Sequence, residues 1–150
     1  MTTASAGTPA VPSPPAAAPD IVPGASLGIW SRETGLDTWN RFAAVNDEFV
    51  AIHMDAEAGR AAGMPGAFGQ GNLLVSYLHA AVRNWMGESG RMLEISAQFR
   101  KPNTGGTVTA GGTVTEATRT GAGTEVRIDL WLKDAAGADL APGMARVLFP

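Results

Sequence analysis

An α+β fold, in which an antiparallel sheet wraps around one long helix, is predicted by three observations. Gly71–Met86 (GNLLVSYLHAAVRNWM) carries apolar residues around most of a helix circumference, so this helix is buried on most sides. After Gly90 the pattern changes to alternation of apolar and polar residues, rich in threonine and valine, which marks strands. Turn signals at Asn103–Gly106, Thr120–Gly123 and Asp134–Gly137 divide that half into four strands with meander-like connections. One buried helix followed by a long antiparallel run leaves the sheet little choice but to cover the helix.

The chain has 150 residues, the length of one domain. Residues 1–24 are expected to form a disordered tail and residues 25–150 the domain. Pro9, Pro12, Pro14, Pro15, Pro19 and Pro23 fall in that tail and Asp20 is its only charged side chain. Such a stretch buries too little apolar area to offset the entropy of ordering.

Within the domain, Ser26–Ser31 (SLGIWS) is a short strand candidate. Asp37–Asn46 reads as a helix capped by Asp37, with Trp39, Phe42, Ala43 and Val45 on its apolar face. Asp47–Met54 has no helix signals and is expected to be irregular. Asp55–Ala62 is a short helix with Asp55 as N-cap and Gly63 just past its end. Met64–Gly71 holds Pro65 and three glycines, Gly66, Gly69 and Gly71, and so is a loop whose backbone can approach a ligand. The long helix follows and is stopped by Gly87. Its polar residues Asn72, Ser76, His79 and Arg83 form one stripe, facing a site, a subunit interface or solvent.

Among the strands, Arg91–Lys101 places Leu93, Ile95, Ala97 and Phe99 on one side. Thr107–Thr118 contains Gly111–Gly112, expected to mark a bulge or bend. Thr124–Lys133 turns Val126, Ile128, Leu130 and Leu132 inward and Glu125, Arg127 and Asp129 outward. Ala141–Phe149 closes the sheet.

Composition excludes several functions. Net charge is −3 and pI near 5.3, so no basic field exists to hold a nucleic acid backbone. The absence of cysteine removes disulfides, thiolate metal sites and cysteine nucleophiles together. With His53 and His79 as the only imidazoles, a histidine-built metal site is poorly supplied. No apolar run approaches the ~20 residues that a spanning helix needs. The N-terminus lacks a basic n-region and an unbroken apolar stretch, so no secretory signal is expected. A cytoplasmic location without membrane contact is the default.

The informative segment is FAAVNDEFVAIHMDAEAGRAAGMPGAFGQGNLL (Phe42–Leu74). It holds Glu48, then Phe49-Val50-Ala51-Ile52, then His53, with Asp55 two residues later. The loop Met64-Pro65-Gly66-Ala67 follows, then Gly71 opening the long helix, and FRKP (Phe99–Pro102) further on. This arrangement resembles the MaoC-like dehydratases, the family of R-specific enoyl-CoA hydratases with the hotdog fold. Trp39–Pro102 carries the resemblance well and the last strands carry it in pattern. Four positions depart from the family. Glu48 stands where an aspartate is usual, Val50-Ala51 replaces Asn-Pro, and Asp47 occupies a place that is usually glycine.

The resemblance implies a lyase adding water to 2-enoyl thioesters of coenzyme A or acyl carrier protein, in fatty-acid or steroid lipid metabolism. Glu48 and His53 would hold one water, taking one proton and delivering another. Asp47 is the alternative acid if the loop is shifted by one residue. The Gly71 backbone N–H, at a helix N-terminus, would meet the charge that develops on the thioester oxygen. Asn72, Ser76 and His79 are candidate substrate contacts, and Arg100 and Lys101 candidates for the coenzyme phosphates. No metal, flavin or nicotinamide is implied. The partner is a second hotdog subunit, as a homodimer or as a heterodimer with a paralogue. Two other readings stay open: a non-catalytic subunit that shapes the acyl tunnel of an active paralogue, and, less favoured, a hotdog acyl thioesterase.

Overall fold

The computed structural model describes residues 18–150. The expected tail lies outside these residues for its first part. Its last residues already meet the domain. Ile21 packs against the core and the Gly24 N–H donates to the Val114 carbonyl at 2.8 Å. The packed chain therefore begins near Ile21, a few residues before the expected boundary.

Strand β1 is Trp30–Thr34, helix α1 Leu36–Asn46, α2 Ala56–Ala61 and α3 Gly71–Met86; strands β2 Arg91–Ala97, β3 Gly106–Thr120, β4 Gly123–Lys133 and β5 Gly143–Phe149 follow. All five strands form one antiparallel sheet in the order β1-β3-β4-β5-β2. The sheet curls around α3, and the architecture is the hotdog fold. Leu78 and Val82 of α3 and Val108, Ile128, Leu132 and Val147 of the sheet have no measurable exposure and form the centre of the core.

Several local readings hold to the residue. The long helix runs Gly71–Met86 and ends at Gly87, whose φ of 56° suits glycine. Asp55 caps α2 by accepting from the Ala58 N–H at 2.7 Å. Val126, Ile128, Leu130 and Leu132 are all buried.

Others are corrected. The first strand begins at Trp30, not Ser26. Gly28, at φ 76°, absorbs one extra residue between the Ser26↔Thr113 bridge and the Trp30↔Ala110 pair. Asp37 is not the cap of α1. Gly35 holds that position, and Asp37 lies in the first turn, paired with Arg41 at 3.6 Å. The stretch after α1 contains a single 3-10 turn, Ala51–His53.

Gly111 and Gly112 break nothing, because the β3–β4 ladder runs through them. A Cβ at Gly111 would lie 2.4 Å from the Trp131 ring, so this glycine makes room for its cross-strand partner. The register shift falls instead between Val114 and Glu116. In β2 a second bulge, between Met92 and Glu94, leaves Leu93 38% exposed and puts Met92 on the core side with Ile95 and Ala97. The meander is broken too. β2 pairs with β5 rather than with β3, so the stretch from Gln98 to Gly105 crosses the end of the barrel-like curl instead of turning back as a hairpin.

Candidate active site

The Gly71 end of α3 is where the chemistry gathers. A cavity of about 280 Å³ there is walled by Phe68, Leu74, Phe99 and Pro102 and by the backbone of Gly69 and Gly71. His53, Arg100 and Lys101 are its titratable residues. His53 reaches it from the 3-10 turn and is 9% exposed.

His53 has a defined tautomer. Its Nδ1 lies 2.7 Å from the Phe68 carbonyl oxygen, which can only accept. Nδ1 therefore carries the proton, and Nε2 of the neutral ring is left as an acceptor. The Phe68 ring meets the imidazole edge-on, with centroids 5.1 Å apart.

The loop entering α3 is held on both sides. The Phe68 N–H donates to Ile52 O at 3.3 Å and the Gly69 N–H to Asn103 O at 2.8 Å. Gln70, fully buried, donates from Nε2 to the Trp39 carbonyl at 2.9 Å. Behind this loop, Trp39 Nε1, the Tyr77 hydroxyl and Asn103 Nδ2 all donate to the Thr34 hydroxyl oxygen, at 3.1, 2.8 and 3.4 Å. A buried hub with these partners fixes β1, α1, α3 and the Asn103 turn relative to one another. Burial pushes the Tyr77 phenol above its ordinary range. Gly71, as the first residue of α3, has no intrahelical acceptor for its N–H.

Of the residues expected from the sequence, His53, Gly71, Arg100 and Lys101 come together at this cavity. Glu48 and Asp47 do not line it. Asp47 ends α1 at φ 53°, ψ 40°, and Glu48 follows, partly buried, its N–H donating to Ala43 O at 2.9 Å. Asn72, Ser76 and His79 lie on the exposed stripe of α3, away from this cavity, and Ser76 Oγ donates to Asn72 O at 3.1 Å. The motif contains Leu74 and Phe99 but gives them no role at the site. The Phe68 carbonyl, the Thr34 hub and Gln70 are not among the expected site residues, and of these Gln70, the polar residue just before the helix-opening glycine, carries a local signal.

A larger cavity, about 490 Å³, lies between β1, α1 and α3, with Trp30, Phe42 and Tyr77 among its walls. Arg32 and Arg41 are its cationic residues. Among the described residues no cluster of histidine, aspartate and glutamate has the makings of a metal site, and no helix is long and apolar enough to cross a membrane.

The family model described as "MaoC like domain" matches residues 21–132. The chain belongs to this family. Solved structures of MaoC-like proteins share the fold. The (R)-hydratase from A. caviae involved in PHA biosynthesis is 23% identical, with 86% of this chain and 97% of that one covered and a TM-score of 0.77. R-hydratase PhaJ1 from Pseudomonas aeruginosa is 20% identical, with 86% and 82% covered and a TM-score of 0.77. The ChsH1-ChsH2 complex from Mycobacterium tuberculosis contains a chain 20% identical, with 86% and 98% covered and a TM-score of 0.76. Among curated proteins, none matches this MaoC-like sequence.

Proposed function

We propose that this MaoC-like protein is a hydratase/dehydratase of 2-enoyl thioesters, carried by coenzyme A or by acyl carrier protein. The observation that carries the reading is the meeting of His53, with Nε2 as its acceptor, and the Gly71 N–H at one apolar-walled cavity. The larger family and the similar solved (R)-hydratases support it.

In the proposed step His53 Nε2 takes a proton from water as the water oxygen bonds to C3 of the enoyl group. The double-bond electrons move toward the thioester oxygen, and the Gly71 N–H meets the charge that gathers there. The proton passes to C2, so one water adds across the double bond and no other reactant is consumed. Glu48 holds the far side of the water. It stands five residues before His53 in the chain. Arg100 and Lys101, both exposed, meet the carrier's phosphates. Acid–base chemistry suffices, so the reading includes no metal or redox cofactor. It is carried out by a homodimer or by a heterodimer with a hotdog paralogue, because β2 leaves an unpaired edge with Leu93 exposed. The location that goes with it is the cytoplasm.

The absence of Glu48 from the walls of the His53 cavity favours one second reading, a non-catalytic subunit paired with an active paralogue. Incubating the purified protein with short, long and steroid-type enoyl-CoA esters separates the two. Loss of the conjugated enoyl absorbance is expected; no loss with any ester leaves the partner-subunit reading.

A further inference from the structure

We propose that Phe99 limits the length of acyl chain that the His53 cavity accepts, so that short enoyl thioesters are taken in preference to long ones. The inference rests on the hydratase reading and names the substrate class within it.

Phe99 stands against the proposed reacting centre. A Cβ at Gly71 would lie 2.9 Å from Phe99 Cε2 and 3.2 Å from Cδ2 and Cζ, so the ring edge touches the start of α3. The backbone on either side is pinned. Gln98 N–H donates to Pro142 O at 2.9 Å and Arg100 N–H to Leu140 O at 2.8 Å. The pinned backbone opposes a shift of the segment, so the ring moves chiefly about its own side-chain bonds.

The cavity it walls is small. Its volume of about 280 Å³ falls just below the ~300–1,000 Å³ typical of pockets for drug-sized molecules. Its other large apolar wall on α3, Leu74, is 2% exposed and belongs to the core, so it gives no room. Phe99 is different. It is 55% exposed and lies outside the buried core cluster. It is thus a wall beside Gly71 whose removal enlarges the cavity without opening the core. An acyl chain that outgrows the cavity has to displace this ring, and a pocket distinguishes a missing or surplus methylene by ~10–200-fold.

The test compares the wild-type full chain with Phe99→Ala and Phe99→Leu, using butenoyl- and decenoyl-coenzyme A. Wild type is expected to favour butenoyl-coenzyme A in kcat/KM by about 10-fold or more. Phe99→Ala should reduce that preference by about 10-fold, with Phe99→Leu between the two. An unchanged preference in Phe99→Ala, or a wild type that favours the longer ester, overturns the inference while leaving the hydratase reading in place. Hydration of a steroid-type ester alone also overturns the inference; should wild type hydrate none of the three esters, the hydratase reading fails by itself. The cavity limit is then read from binding of the saturated butyryl- and decanoyl-coenzyme A by calorimetry. Phe99→Ala should tighten the decanoyl ester about 10-fold relative to the butyryl ester, and equal effects on both, or no binding of either by any of the three proteins, overturn it.

Discussion

His53 Nδ1 donates to the carbonyl oxygen of Phe68, 2.7 Å away, and this bond helps to tie the 3-10 turn to the loop that enters α3. It gives the imidazole both its orientation and its tautomer. Two substitutions separate these roles. An asparagine side chain can place its amide N–H near the Nδ1 position but offers nothing in place of Nε2. His53→Asn should therefore lose hydration by ~10²–10⁴-fold while melting near the wild-type temperature. His53→Ala should lose the same activity and also strand the Phe68 carbonyl, at a cost of about 1–3 kcal/mol in stability. Full activity in His53→Asn would remove His53 from the chemistry.

Asp47 ends α1 in the left-handed region of backbone space. Asp47 is the only non-glycine residue at positive φ among the described residues, and it occupies the C-terminal position of a helix where glycine is usual. Its backbone thus ends a helix under mild strain, and in the proposed mechanism Glu48 is the acid. Asp47→Gly should raise stability by up to ~1 kcal/mol and keep activity. Glu48→Gln should lower kcat with little change in melting temperature, and Glu48→Asp should alter the rate without abolishing it. A severe loss in Asp47→Asn beside a mild one in Glu48→Gln would reverse the assignment.

These two residues also mark what can be read from sequence. Elements whose signals are local came through: Gly71 and Gly87 bracket α3, Asp55 caps α2, and the alternation of Val126, Ile128, Leu130 and Leu132 matches the buried face of β4. Strand order did not, because the pairing of β2 with β5 is decided by the whole curl of the sheet and not by the Asn103–Gly106 turn. The face of β2 was misread at Leu93 because a bulge leaves no mark in an alternating pattern. At the site, His53 and Gly71 stand out by residue type and by motif. The groups that hold them, the Phe68 carbonyl and the Thr34 hydroxyl, are a backbone atom and a common side chain whose partners lie far along the chain.

Tyr77 supplies a pH test of that hub. Its hydroxyl donates to Thr34 Oγ1 at 2.8 Å, and burial raises the phenol above its ordinary pKa of 10.0. A group whose folded pKa is raised contributes stability that is fully present below the unfolded value. That contribution is lost as pH rises through the folded value. Wild type should therefore lose melting temperature steeply above about pH 10, and Tyr77→Phe should lose less over the same range. At neutral pH the same variant should be less stable by about 0.5–1.5 kcal/mol, for the missing hydrogen bond. Tyr77 is the chain's single tyrosine, so phenolate absorbance follows it alone. A midpoint at or below the ordinary value would contradict its burial in the hub.

Gly59 and Gly66 set the distance between α2 and the glycine loop. A Cβ at Gly59 would lie 2.0 Å from the Gly66 oxygen and 2.8 Å from the Ala67 nitrogen, both backbone atoms that cannot rotate away. Glycine inside a helix ordinarily costs about 1 kcal/mol against alanine, so the close approach is what this position serves. In Gly59→Ala the loop has to move. The displaced backbone leads directly to Phe68, whose carbonyl orients His53. Overpacking of this kind should cost about 1–3 kcal/mol, and hydration should fall by more than the folded fraction does. Gly63→Ala is the control. Gly63 lies at φ 85° with open space around its Cα, so its substitution strains the backbone without pushing the loop. It should lower the melting temperature and leave kcat unchanged at a temperature where the variant is folded. Equal catalytic loss in both variants would show that α2 acts through stability alone, and a Gly59→Ala protein with wild-type kcat would separate the glycine loop from the position of His53.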